Sequence, residues 1–424
     1  MIRHQLLSRV ILTVVIACAT ARAQAVSLLY EPFDYPQSNF LSATTVGAVN
    51  TTTSPIGYLA PNFNNWYGTG IDTGGYQVAN DGQIISADLT VPGLAKPSPS
   101  TRSLSLGGTG HTFRLSLNSS TMALNNRTGP NLTDMADPLA GTDATSQPTD
   151  TGHTGYYSIA LRVTDITGLF TNGGVLLGFN AVIGAQTLNP TAAGAALTIR
   201  PKAGGGPGAF QLGLLKQGTA SVAGATWDAG TYNTNTTIFV VGKYQTVGAF
   251  QNGTPPIPTD DLASLWINPS PTTFGGFEPT GALTNLVGDD LPTNGGTNNH
   301  TLQSFILRQN GTAVDNRIPQ GILYDELRVG TTWADVTPGL PGDYNGNGTV
   351  DAADYVLWRN GGPLVNEVDQ RAVVNAADYT AWRALFNNPG GPGVGASAAV
   401  PEPFAAFLLA MVAPFFGIWR GRRR

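Results

Sequence analysis

A long central region of short apolar runs most constrains how this chain can fold. Between residues 26 and 338 no apolar pattern of helical period persists, and runs of β-branched and aromatic residues alternate with Gly, Pro, Asn and Asp. This alternation predicts an all-β domain. The predicted strands are 27–31, 83–89, 112–117, 156–164, 173–179, 196–200, 210–216, 237–244, 262–267, 303–308 and 322–329.

Strands of this number and length fit a two-sheet jelly-roll sandwich. Runs 156–164 and 237–244 are apolar enough for central positions, whereas 118–155 is poor in large apolar residues and is predicted to be an exposed excursion. Only 12% of the residues are charged, which is too few for a nucleic-acid binder that neutralises many phosphates.

The N-terminus has the layout of an export signal. Basic residues precede an almost wholly apolar run, 10–18, and small residues with Ala-x-Ala spacing follow. This order predicts a secretory signal peptide over residues 1–25, cut after Ala23 or Ala25. The alternative is a lipoprotein cut before Cys18. Since Cys18 is the only cysteine, ordinary processing leaves no disulfide and no thiolate ligand in the chain.

The C-terminus has a second apolar segment, after a Gly/Ala/Pro-rich linker at 389–399. As a helix, residues 404–419 would span about 24 Å, less than the ~30 Å hydrocarbon core of a bilayer. The segment therefore predicts a temporary hold in the membrane. The flanking residues are Val400, Pro401, Glu402 and Pro403 before it and Arg420, Arg422, Arg423 and Arg424 after it.

Residues 400–424 resemble a PEP-CTERM sorting signal in the order and spacing of these parts. The resemblance implies recognition by an exosortase-type processing enzyme, transient insertion in the inner membrane, and delivery to the cell surface or extracellular matrix. A plain single-span tail anchor is the alternative, with the arginines held in the cytoplasm. Seven of the 22 basic residues lie in the two end segments, so the processed chain carries 15 basic against 27 acidic residues.

A duplication lies just before this tail. Residues 352–359, Ala-Ala-Asp-Tyr-Val-Leu-Trp-Arg, return 24 residues later at 376–383 as Ala-Ala-Asp-Tyr-Thr-Ala-Trp-Arg. Each copy is predicted to begin a helix, and Tyr and Trp three residues apart lie on one helical face. The two helices are therefore expected to pack as a pseudo-twofold pair through Tyr355, Trp358, Tyr379 and Trp382.

The first copy follows a loop with the ligand spacing of an EF-hand. Oxygen-bearing side chains occupy positions 1, 3, 5, 9 and 12, Thr349 offers its carbonyl at position 7, and Gly348 stands at the sharp turn of position 6. Hard oxygen donors at this spacing suit Ca²⁺ better than softer metals. The predicted ligands of one calcium ion are Asp343, Asn345, Asn347, Thr349, Asp351 and Asp354.

The second loop is eroded, so any second calcium site is predicted to be weak. Arg371 places a cation where a ligand belongs, and Ala372 replaces the turn glycine. The remaining candidate ligands are Glu367, Asp369, Asn375 and Asp378.

A loop of this kind followed by a helix, twice over, resembles a type I dockerin across residues 341–388. The resemblance implies calcium binding and a cohesin-like partner. The recognition positions of that family are plain alanines here: Ala352, Ala353, Ala376 and Ala377. The alternative is a small calcium-stabilised spacer before the sorting signal.

Three strings of the central region resemble concanavalin A-like domains of the LamG type. They are the sequences at 29–35, 265–269 and 323–330, and the last precedes Thr-Thr-Trp-Ala-Asp-Val at 331–336, where such a domain closes on its first strand. The resemblance implies a jelly-roll sandwich over residues 26–338 that binds sugars and in some members hydrolyses them.

No catalytic motif supports hydrolysis. A jelly-roll glycosidase needs two carboxylates flanking the sugar bond, and no Glu-x-Asp-x-Glu run exists. The glutamates of residues 26–338 are Glu31, Glu278 and Glu326. Asp325 and Glu326 are adjacent, so on a regular strand they would face opposite sides and would serve to hydrogen-bond a loop or an edge. His111, His153 and His300 are predicted loop residues. The predicted core or rim residues are Trp66, Trp227, Trp266 and Trp333, and the alternative is that they stack on sugar rings if exposed.

The sequence therefore predicts a mainly β protein with a small α-helical calcium module and a disposable C-terminal helix. The expected function is that of an exported, surface-directed, non-catalytic protein, with polysaccharide as a candidate ligand. Two alternatives stay open: a divergent polysaccharide hydrolase with a docking module, and a purely structural component of a surface layer or matrix.

Overall fold

A computed structural model of the 424-residue chain gives the fold. The structure describes residues 29–34, 66–69, 82–97, 101–106, 112–116, 154–180, 193–218, 222–245, 247, 260–288, 290, 302, 304–308, 311–312, 315–316, 318–367 and 374–386. The predicted signal peptide, the sorting signal with its helix at 404–419, and His111, His153 and His300 lie outside these residues. No helix in the described part is long and apolar enough to cross a bilayer.

Two antiparallel sheets form the body of the protein, as the strand pattern predicts. The first has the order β14-β13-β12-β6-β18-β4-β3, with β1 beside β18. Its strands are β1 (Leu29–Glu31), β3 (Gln83–Ile85), β4 (Ser103–Leu106), β6 (Thr154–Asp165), β12 (Thr237–Gln245), β13 (Leu262–Ile267), β14 (Leu283–Asn285) and β18 (Gly321–Gly330).

The second sheet has the order β10-β9-β8-β7-β15-β5-β2, with β11 beside β9. Its strands are β2 (Trp66–Thr69), β5 (Thr112–Ser116), β7 (Gly174–Asn180), β8 (Ala193–Pro201), β9 (Ala209–Gly218), β10 (Thr226–Trp227), β11 (Tyr232–Asn233) and β15 (Ser304–Leu307). A separate hairpin pairs β16 (Gly311–Thr312) with β17 (Asp315–Asn316).

The predicted central strands and the chain closure are confirmed. β6 and β12 are neighbours in the middle of the first sheet. Leu29 of β1 pairs with Val329 of β18, so the first strand closes on the last strand of the sandwich. The predicted strand 83–89 is too long, because pairing ends at Ile85 and the chain then runs over the sheet. The end of the predicted excursion belongs to β6, and its remainder lies outside the described residues.

Apolar side chains form a main core and further clusters on the sheets, one of which includes Val175, Leu215 and Ile306 of the second sheet. The main core lies between the sheets and includes Phe179, Leu197 and Phe305. The Tyr157 hydroxyl crosses this core and donates to the Ala195 carbonyl at 2.8 Å. A second core covers the outer face of the first sheet and includes Trp266 and Trp333. That outer face is therefore buried along this second core.

Short helices follow the sandwich. α1 (Trp333–Val336) packs on the outer core, and α2 (Ala352–Arg359) and α3 (Ala376–Leu385) form the duplicated pair. A 3₁₀ turn, Pro271–Thr273, lies after β13. The helix pair has a small core of its own around Leu340, Tyr344, Val350 and Trp382.

Candidate metal centre

The first acidic loop brings its two terminal carboxylates into a buried position. Asp343 is 1% exposed and Asp354 is fully buried. Backbone N–H groups hold both: Asn347 and Gly348 donate to Asp343 at 3.0 and 2.8 Å. Asn345 and Asp351 donate to the two oxygens of Asp354 at 2.9 and 2.7 Å. The loop is thus wrapped around positions 1 and 12 of the predicted ligand set.

The amide side chains of the loop are also held by the backbone. The Asn345 Oδ1 accepts from the Asn347 N–H at 2.9 Å, and the Asn347 Oδ1 accepts from the Thr349 N–H at 2.9 Å. Gly346 and Gly348 have φ of 68° and 90°, which a residue with a side chain rarely adopts. The sequence therefore places glycine at the two positions where the loop turns.

The electrostatics of the loop favour a cation. Burial, aided by the nearby charge of Asp354 and opposed by the backbone hydrogen bonds, raises the pKa of Asp343 to about 6. Burial likewise raises the pKa of Asp354. Two ionised carboxylates in one buried loop need compensating positive charge. Their donor set, carboxylate and amide oxygens alone, fits a hard ion such as Ca²⁺.

The second copy keeps the helix start but shows only part of its ligand set. Asn375 caps α3 by accepting from the Ala377 N–H at 2.6 Å, and the buried Asp378 accepts from the Asn375 N–H at 2.9 Å. Glu367 is half-buried. Asp369 and Arg371 lie outside the described residues. The described residues do not test the second loop, so the weakness of a second calcium site stays a prediction.

The predicted pairing of the four aromatic rings is present. Tyr355 contacts Tyr379 and Trp382, with ring centroids 6.2 and 4.9 Å apart, and Trp358 contacts Tyr379 at 4.9 Å. The indole N–H of Trp358 donates to the Asn375 carbonyl at 2.8 Å, and that of Trp382 donates to the Asp351 carbonyl at 2.7 Å. Each tryptophan thus bonds to the residue that caps the other helix.

The loop from Asp343 to Asp354 and the residues just before it pack directly against the sandwich. The Leu340 N–H donates to the Gly93 carbonyl at 3.0 Å, and the Ala95 N–H donates to the Pro338 carbonyl at 2.9 Å. A Cβ placed on Gly93 would lie 2.7 Å from the Pro271 Cβ and 3.0 Å from the Gly348 Cα. Gly93 therefore allows the turn glycine of the loop to approach the sandwich closely.

The expectation that Asp325 and Glu326 point to opposite sides is wrong. A bulge interrupts the pairing of β18 between Asp325 and Arg328, and Glu326 has φ of 55°. Both carboxylates consequently reach the Lys96 amine, each at 3.5 Å. The predicted loop bond is confirmed, since Asp325 accepts from the Leu89 N–H at 3.3 Å.

All three glutamates of the sandwich are engaged by neighbours. Glu31 accepts from the Phe33 N–H at 2.8 Å, and Glu278 pairs with Lys243 at 2.8 Å. Glu326 pairs with Arg328 at 2.7 Å. Glu31 and Glu326 are 1% and 2% exposed, so neither carboxylate presents itself to a large substrate.

The described tryptophans of the sandwich are structural, as predicted. Trp266 and Trp333 are buried and meet edge to face at 5.1 Å. The half-buried Trp227 has the Arg200 guanidinium 4.0 Å over its ring and packs beside Gly213. The side chain of Trp66 lies outside the described residues. A further acidic cluster, which the sequence did not predict, consists of Asp260, Asp261 and Asp290.

No family model matches the chain, and no curated protein matches it. Among solved structures, it is similar to the botulinum neurotoxin serotype D binding domain with a TM-score of 0.26 and 9% identity, over 60% of this chain and 44% of that one. The endo-β-1,4-glucuronan lyase of the fungus Trichoderma reesei gives 0.30 and 13%, over 64% and 97%. The alginate lyase Aly36B gives 0.29 and 12%, over 58% and 96%.

The chain thus spans less than half of the toxin domain that it matches. At these TM-scores the likenesses support no conclusion about this chain.

Proposed function

We propose that this chain is an exported, surface-directed, non-catalytic protein in which a calcium-binding, dockerin-like module stabilises a concanavalin A-like sandwich. The observation that carries the proposal is the geometry of the loop from Asp343 to Asp354. Two buried carboxylates and two amide oxygens are held by the backbone in the order that a calcium loop requires. When bound, Ca²⁺ would supply positive charge and cross-link the loop to the start of α2.

The position of this loop supports a stabilising role. It lies against Gly93 and Pro271 of the sandwich, and Asn366 ties it from behind by donating to the Asp343 carbonyl at 3.1 Å. A bound ion that fixes the loop would therefore also fix the part of the sandwich that the loop contacts. This arrangement favours a stabilising module over a free spacer.

Calcium titration of the whole chain tests the first half of the proposal. We expect the wild-type protein to bind one calcium ion strongly at the loop from Asp343 to Asp354 and Asp343→Asn to lose this one equivalent, with Asp165→Asn as a matched change at an exposed aspartate. Since Ca²⁺ binds only the folded loop, it should also raise the melting temperature of the wild type. A wild-type affinity unchanged by Asp343→Asn would contradict the assignment.

Export and sorting are proposed from the two end segments. Host cells should carry the chain at the surface without residues 404–424 if an exosortase-type enzyme removes the tail. Full-length chain in the cytosol would overturn this half of the proposal.

Polysaccharide is the proposed ligand of the sandwich, supported by the resemblance of the strings at 29–35, 265–269 and 323–330. Trp266 and Trp333 are buried and Arg200 covers one face of Trp227, so stacking on these rings is not the proposed mode of binding. A glycan array probed with the calcium-loaded protein tests this ligand, and absence of any signal would remove it. A cohesin-like partner is likewise proposed only from the dockerin resemblance.

A further inference from the structure

Three aspartates from different parts of the chain meet beside the main core. Asp260 and Asp261 lie just before β13, and Asp290 lies beyond β14. One carboxylate oxygen of each lies within 4.8 Å of the others. Asp260 is exposed, whereas Asp261 and Asp290 are 1% and 3% exposed. The cluster is thus open to solvent on one side and buried on the other.

Among the described residues, Lys216 on β9 contributes a positive charge at this cluster. Its amine is fully buried and lies 2.8 Å from the Asp290 Oδ1. The other oxygen, Asp290 Oδ2, is buried and has no hydrogen-bond partner. Buried carboxylate oxygens are almost always paired in proteins, because burial without a partner is costly. The three carboxylates and this one lysine, taken together, sum to two formal negative charges.

The buried carboxylates are held in place from behind. Asp261 accepts from the Tyr244 hydroxyl at 2.7 Å and from the Val247 N–H at 2.9 Å. Asp290 accepts from the Asp261 N–H at 3.0 Å. Carboxylates that ligate metals are oriented by this kind of supporting hydrogen bond. Burial also raises the pKa of Asp290, to about 6, with the charge of Asp261 as a further cause.

We propose that Asp260, Asp261 and Asp290 bind a divalent cation, Ca²⁺, at a site separate from the loop at 343–354. Its two charges would balance the two formal negative charges of the carboxylates and Lys216 taken together, and it would give the Asp290 Oδ2 its missing partner. Oxygen-only donors of irregular arrangement suit Ca²⁺ better than Mg²⁺, which demands near-ideal octahedral geometry, and better than softer metals. The ion would join the ends of β13 and β14.

The test uses the full-length chain carrying Asp343→Asn, so that the EF-hand-type loop is disabled. We expect this protein to keep one calcium equivalent by isothermal titration, where the wild type binds two. Terbium, which replaces Ca²⁺ in oxygen sites, should show luminescence sensitised by Tyr244. If the Asp343→Asn protein bound no calcium, the proposed second site would be refuted, whereas the assignment of the first site to the loop at 343–354 would still stand.

Variants assign the remaining equivalent to this cluster. Because Asp260 is exposed, Asp260→Asn should fold normally and weaken calcium binding by about tenfold, since affinity follows the ligand charge. Asp290→Asn should abolish it, and Asp165→Asn, at an exposed aspartate elsewhere, should leave it unchanged. Affinity unchanged by Asp260→Asn would assign the equivalent to another site, such as the eroded loop, and would refute the proposal. Tighter binding of Mg²⁺ than of Ca²⁺ would refute the identity of the ion.

Discussion

A single left-handed residue explains the buried ion network on the first sheet. On a regular strand Asp325 and Glu326 would alternate, but the φ of 55° at Glu326 turns both carboxylates toward Lys96. Burial alone would lower the pKa of Lys96, yet the surrounding carboxylates outweigh it and raise that pKa. Sequence reasoning missed this because nothing in the residue pattern marks where a bulge interrupts a strand.

This network predicts a pH dependence of stability. Burial, with the charge of Glu326, raises the pKa of Asp325 to about 8 from an ordinary 3.8. The unfolded chain therefore releases this proton at lower pH than the folded chain. The contribution of Asp325 to the stability of the folded state is consequently complete below pH 4 and is lost as the pH rises toward 8. In Asp325→Asn this loss should be absent.

Urea unfolding at saturating calcium, at pH 5 and at pH 8, measures the effect. The stability difference between wild type and Asp325→Asn should shrink by about 1 kcal/mol or more at the higher pH, since one pKa unit corresponds to about 1.4 kcal/mol. Asp165→Asn, whose pKa is lowered by Thr167, is the control and should show no change in this range. If the difference in unfolding free energy between wild type and Asp325→Asn were the same at pH 5 and at pH 8, the pKa of Asp325 in the folded protein would lie below 5.

At the scale of elements, the duplicated helices were the most predictable part of the protein. Repetition of Tyr and Trp at the same spacing predicted the ring contacts, and each helix begins with a capping box, at Asp351 and at Asn375. The reciprocal indole bonds were not predictable, because they depend on how the two helices cross. The repeat also supplies its own comparison: the capping residue is Asp beside the intact loop and Asn beside the eroded one.

That comparison separates capping from calcium binding. Asp351 accepts from the Ala353 N–H at 2.7 Å, as Asn375 does from Ala377, so Asp351→Asn should keep the cap. It removes a charge from position 9, and calcium affinity should fall several-fold. Asp351→Ala should lose the cap as well, at about 1 kcal/mol.

Calcium titration and thermal unfolding in chelator give the two readouts. Asp351→Asn should unfold like the wild type without calcium, whereas Asp351→Ala should unfold earlier. If Asp351→Asn bound calcium as tightly as the wild type, position 9 would not belong to the ligand set.

At the scale of the whole molecule, the fold class followed from the runs of β-branched residues, but the arrangement of the parts did not. Sheet order depends on pairings between distant strands, such as β1 with β18, that no local pattern encodes. The acidic cluster was missed for the same reason, since only the adjacent Asp260 and Asp261 are visible as a pair in the sequence. The sequence placed a module at 341–388 directly after the sandwich, but it did not show that the loop from Asp343 to Asp354 packs on the sandwich.

This packing predicts that the sandwich and the loop from Asp343 to Asp354 are coupled through Gly93. Its φ of 77° is unfavourable for alanine, and a Cβ there would collide with Pro271 and press on Gly348. Gly93→Ala should push the loop away from the sandwich and cost about 1–3 kcal/mol, as overpacking does. Because the loop would lose its support, calcium affinity should fall and protease should cut near residues 338–341.

Gly281→Ala is the matched control, since Gly281 has φ of 88° but nothing within 4 Å of its Cβ position. Equal losses of calcium affinity in the two variants would mean that backbone strain, and not contact between loop and sandwich, weakens binding.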